Sequence, residues 1–163
     1  MEEQDGLGPV RAALDAHDWD TAAALLAEVG ADDLEACELR ARTAYGSGDL
    51  EGCLTAWEHQ YQLLVAADEN VLAARAACMV AMYLLIDTGL MAPIRGWLAR
   101  AEKLLDGVEE EVPPHVLVAM IRGYERFFCG DPAAARPYAE KAVALGRRLD
   151  VMPGVVMSSI CLA

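Results

Sequence analysis

The chain's 163 residues are enough for one domain with a real core, and its 55% apolar content rests largely on alanine and leucine, with aromatics at only 6%. That balance favours helices packed closely on helices, and no alternating strand of convincing length interrupts it. The net charge is −13, with ten acids against one base, Arg11, in the first 35 residues; this argues against direct nucleic-acid binding, which needs a basic stripe.

The apolar pattern predicts one all-α domain of four helical hairpins, over residues 9–30, 32–67, 69–106 and 113–149, with another repeat starting at 153–163. The first turns at His17, Asp18 and Trp19. In the second, Leu34, Cys37, Ala41 and Tyr45 form a stripe opened by Asp32, with Glu35 at the capping-box spacing. Its return helix carries Leu50, Cys53, Leu54, Trp57, Tyr61, Leu64 and Val65, a one-sided pattern of period near 3.6. The third pairs Val71, Ala74, Cys78, Ala81, Met82 and Leu85 with Ile94, Trp97, Leu98, Ala101, Leu104 and Leu105.

In the fourth hairpin, Pro113 and Pro114 start a helix whose stripe is Leu117, Met120, Ile121, Tyr124, Phe127 and Phe128. Gly130 suits the left-handed residue that ends a helix, Asp131 can cap the next one, and Pro132 fits its first turn. Pro137 predicts a local kink. The segment 151–163 carries no charged residue, whereas a stacked array ordinarily closes with a polar cap. The expectation is therefore a fragment of a longer chain, or an open end covered by a second molecule through Val155, Val156 and Ile160.

The turns recur. Gly48, Gly89 and Gly130 are 41 residues apart, and His17 stands 31 residues before Gly48. Around them, Gly130, Asp131, Ala135, Ala139 and Ala142, and likewise Gly48, Asp49, Cys53 and Trp57, resemble the tetratricopeptide repeat over roughly residues 10–163. Gly89, Ile94, Leu98 and Ala101 match it in spacing. Gln60 departs from the pattern, and a 41-residue period exceeds the usual one of about 34. The resemblance implies a right-handed solenoid that binds a protein or peptide on its concave face. The positions there outside the main stripes are Glu38, Arg42, Arg75, Tyr83, Arg122, Glu125 and Arg126. Arg122 and Arg126 can clamp a partner's carboxylate or pair with Glu125 and acids on adjacent helices. Met79, Tyr83 and Ile86 read equally as groove lining or as core.

The stretches GDLEGCLTAWEHQYQLL, ARAACMVAMYLL and RGWLARAEKLLDG resemble the repeat region of large bacterial regulators that carry a LuxR-type helix-turn-helix domain or a nucleotide cyclase. That resemblance implies a cytosolic signalling or transcriptional setting, with the output domain of the same chain as one partner. The N-terminus is acidic and lacks the apolar segment of a secretory signal, and the apolar run 76–86 is too short to span a bilayer, so a cytoplasmic protein is expected. Cys37, Cys53, Cys78, Cys129 and Cys161 form no C-x-x-C pair and read as buried free thiols.

Chemistry is thinly represented. His17, His59 and His115 fall in three different hairpins without ligand spacing, so no metal or cofactor is expected. Glu109, Glu110 and Glu111 sit in a proline-flanked link that offers little burial to raise a carboxylate pKa. Ser158 and Ser159 lack a nucleophile-elbow context. The sequence therefore reads as a non-enzymatic interaction module. A small-molecule sensor with a pocket between helices, and self-association through the C-terminal end, stand beside it.

Overall fold

A computed structural model describes residues 6–163, which are 77% helical, with nine helices and no strand among them. In chain order these are α1 (Gly8–Asp15), α2 (Trp19–Ala27), α3 (Leu34–Gly46), α4 (Leu50–Ala66), α5 (Asn70–Asp87), α6 (Met91–Leu105), α7 (Pro113–Phe128), α8 (Pro132–Arg148) and α9 (Met152–Ile160). The chain forms two compact units, one ending at Leu63 and the other running Leu64–Ala163.

The turn series is visible in the backbone. His17, Gly48, Gly89 and Gly130, which separate α1 from α2, α3 from α4, α5 from α6 and α7 from α8, all take positive φ (56°, 85°, 62° and 82°). Asp68, Gly107 and Asp150 do the same between α4 and α5, α6 and α7, and α8 and α9. A left-handed residue stops a helix by turning its next N–H groups back onto the last carbonyls. The Asp49 and Asp131 amides donate in this way to Ala44 and Arg126 carbonyls at 2.8 and 3.0 Å. Aspartate then opens the following helix: Asp18, Asp49 and Asp131 carboxylates accept from the Thr21, Gly52 and Ala134 amides at 3.1, 2.8 and 2.9 Å. The predicted cap at Asp32 is displaced by one residue. Asp33 accepts from Ala36 N at 2.7 Å, while Asp32 reaches His59 and Glu35 pairs with Arg11.

In the first unit α1 packs on α2 and α3, and α2 on α3, around Leu7, Val10, Leu14, Leu26 and Leu39. The C-terminal end of α2 is held by a residue the apolar pattern does not flag. Arg40 on α3 donates to the Leu26, Val29 and Gly30 carbonyls at 3.0, 2.8 and 3.2 Å.

In the second unit α5 packs on α6 and α7, α6 on α7, α7 on α8, and both α7 and α8 on α9. The approaches are close because small residues make them. Gly123 of α7 lies where an added Cβ would stand 3.5 Å from Ala139 N and 3.7 Å from Ala135 O of α8. The run 76–86 proves to be part of an 18-residue helix: α5 is the one described helix with the length and mean hydropathy (1.5) to cross a membrane, with 44% of that window buried in the fold. Its inner residues, among them Ala74, Ala77, Cys78 and Ala81, let neighbouring helices approach closely.

Two expectations about these helices need correction. On α7 the buried residues are Pro114, Val116, Ala119, Met120, Ile121, Gly123 and Glu125, whereas Phe127 and Phe128 of the bulky stripe are exposed. Packing of α7 on α8 is set by glycine and alanine, which a search for bulky side chains passes over. Helix α8 runs on through Pro137, the site of the expected kink, where the Ala133 carbonyl one turn earlier has no N–H to accept from. Cys37, Cys53 and Cys78 are buried as expected, but Cys129 is exposed and Cys161 half-buried.

Candidate functional site

Charge in the second unit gathers around one side chain. Glu125 is fully buried, with Arg95 Nε donating to its Oε1 at 2.7 Å. Its Oε2 has no hydrogen-bond partner; Arg126 Nε stands 3.5 Å away and Arg122 Nη1 3.9 Å. Arg122 is committed elsewhere, donating through Nε and Nη2 to Glu102 Oε1 and Oε2 at 2.9 and 2.8 Å. The hydrogen bond to Glu125 raises the pKa of Arg95, and that to Glu102 raises the pKa of Arg122. These cations stay charged, and the cluster ties α6 to α7.

Of the residues expected on a concave binding face, Glu38 and Arg42 lie on α3, half-buried and exposed; Arg75 and Tyr83 lie half-buried on α5. The structure brings Arg122, Glu125 and Arg126 together, but Glu125 is interior, not a surface contact. Arg95 belongs to the same cluster and was not singled out, since nothing local in sequence links positions 30 apart. Of the expected self-association residues, Val156 and Ile160 are exposed at 56% and 62%. Val155 is buried: its Cγ2 occupies the space an added Cβ on Gly146 would enter.

The more open feature is apolar. Met82, Leu85 and Ile86 of α5, Met120, Ile121, Tyr124 and Phe128 of α7, and Met157 of α9 line a groove of about 240 Å³. Its single polar group is the Tyr124 phenol, which donates to the Met157 carbonyl at 2.7 Å and so joins α7 to α9. Burial, then the neighbouring Cys161, pushes that phenol up to about 12, keeping it a neutral donor. Phe128 stacks tilted on Tyr124 at 6.0 Å and edge-on to Phe127 at 5.9 Å, and is itself 59% exposed. Such a groove can desolvate an apolar surface; it holds no free acid, base or nucleophile.

The histidines have local roles: His17 is edge-on to Trp19 at 5.4 Å, His59 Nε2 lies 2.9 Å from Asp32 Oδ1, and His115 Nδ1 accepts from Val112 N at 3.1 Å. No group of three or more His, Cys, Asp or Glu side chains suited to a metal occurs among the described residues. Comparison with protein-family models, with curated proteins and with solved structures finds no match to this chain.

Proposed function

We propose that the chain is a non-enzymatic interaction module of a cytosolic bacterial regulator, a tetratricopeptide-like helical array. It docks a protein partner, or the output domain of the same chain, on the apolar groove of α5, α7 and α9. The observation that carries this reading is the groove itself, in which exposed Ile86, Phe128 and Met157 meet around a floor of Met120 and Ile121. Exposed aromatic and methionine side chains are the material of adaptable protein interfaces. The alternation of helical hairpins with a 41-residue turn spacing supports the array.

A second reading is self-association, favoured by Met152, Val156 and Ile160, which continue the apolar exposure along α9. Light scattering of wild type and of a Phe128→Asp/Ile160→Asp variant, across a hundredfold range of concentration, separates the two. A dimer lost in the variant favours self-association. A monomer at all concentrations leaves partner docking, which affinity capture then tests. Proteins captured by wild type and retained equally by the folded variant would remove the groove from the function.

A further inference from the structure

The first unit carries a second, chemically different surface. Between α2, α3 and α4 lies an open depression of about 730 Å³, and beside it another of about 310 Å³. The two share Leu26, Ala27, Arg40, Ala44 and Asp49, so they form one trench running from Trp19 to His59. The trench is wide because its walls are small: Ala27, Ala31, Ala44, Gly52 and Ala56 leave space where larger side chains would fill it.

Its chemistry has two layers. The floor is methyl and methylene surface from leucine and alanine. The exposed acids along it are Asp20, Asp49 and Glu51. The cationic side chain lining the trench is Arg40, one charge against three carboxylates. Arg40 is held by the carbonyls at the end of α2, and His59 by Asp32. Residues 6–63 hold eleven acids and three bases, and a second of those bases, Arg11, pairs with Glu35. The field over the trench is therefore negative, and a concave low-dielectric wall concentrates it.

Lysine and arginine match both layers, since their stems lie on apolar surface while their heads seek carboxylates. We infer that this trench binds a lysine- or arginine-rich amphipathic segment of a partner protein, laid along α3 between α2 and α4. The site is independent of the apolar groove in the second unit and goes beyond the function proposed above.

The test uses the whole chain and a fluorescently labelled synthetic 15-residue helix of leucine and lysine, with its leucine–glutamine counterpart as control, read by polarisation at low salt. The lysine peptide is expected to bind at least tenfold more tightly than the glutamine one, and to weaken as salt rises. Asp20→Lys/Glu51→Lys weakens it tenfold or more. Thr55→Trp, which fills the trench without changing charge, does likewise; Thr55 is exposed, so the fold survives, as circular dichroism confirms. Asp15→Lys/Asp87→Lys, the same charge change at residues that do not line the trench, stays within threefold of wild type. The inference is overturned if the control reversal weakens binding as much as the trench reversal, if Thr55→Trp has no effect, or if the lysine peptide does not bind. Loss of binding in Phe128→Asp/Ile160→Asp would move the peptide to the apolar groove and equally overturn it.

Discussion

Replacing Arg40 by alanine removes the group that closes the C-terminal end of α2. Three carbonyls, Leu26, Val29 and Gly30, lose donors at 3.0, 2.8 and 3.2 Å, and a fourth contact to Ala31 O at 3.4 Å goes with them. A hydrogen bond from a charged donor contributes about 1.5–3 kcal/mol net, and a cation at a helix C-terminus about 0.3–1 kcal/mol. The terms overlap, and water can reach part of the exposed loop, so the expected loss is about 2 kcal/mol, not their sum. For a chain of this size that lowers Tm by about 4–8 °C. Arg40→Lys keeps the charge but lacks the planar fork, and is expected to lose about half as much. The assay is urea unfolding followed by far-UV circular dichroism, with a shift in midpoint at constant slope. Arg42→Ala is the control: it removes the same charge from the same helix at an exposed position, and should change stability by less than about 0.5 kcal/mol. Equal effects of Arg40→Ala and Arg42→Ala would show that net charge, not the carbonyl contacts, governs the unit. Arg40→Lys at wild-type stability would refute the role of the fork.

Glycine substitutions should divide by what surrounds them. At Gly96 an added Cβ meets only Arg100 Nη1 at 3.8 Å, so Gly96→Ala should raise stability by about 1 kcal/mol. At Gly146 it would lie 2.8 Å from Val155 Cγ2 and 3.2 Å from Val151 O, so Gly146→Ala should cost about 1–3 kcal/mol and loosen α9; urea midpoints check both. Asp150 holds φ 55°, and Asp150→Gly should stabilise by about 0.5 kcal/mol in the same assay. In the native protein at pH 8, a thiol reagent should modify exposed Cys129 first. Cys78, buried and pushed up to about 12 chiefly by desolvation, stays neutral and should react only after unfolding.

Helix positions were legible because turn chemistry is local. A glycine or histidine at positive φ followed by a capping aspartate, as at Gly48, Gly130 and His17, is written within four residues, and so is the periodic stripe that follows. Which face of α7 is interior was not legible. It depends on Gly123 meeting the backbone of α8 and on Val116 meeting Gly154 of α9, contacts whose signal is the absence of a side chain. Charge misled for the same reason. Glu125 has the sequence character of a surface residue, and its burial is offset by Arg122 and Arg126 of its own helix together with Arg95 of α6, arriving from 30 positions away. Arg40 likewise acts on carbonyls, which carry no sequence label. The apolar groove was half legible: Ile86 stood off the main stripe of α5, but its meeting with Phe128 and Met157 is a product of the fold.

Docking on the groove of α5, α7 and α9 is reported directly by the methionines that line it. With ¹³C-methyl methionine, Met82, Met120 and Met157 line the groove while Met91 lies outside it. Titration with the neutral leucine–glutamine helix at millimolar concentration should shift these three methyl resonances together and leave Met91 in place. The shifts should vanish in Phe128→Asp. Three unmoved groove methyls, or uniform small shifts of every methionine, would contradict the account.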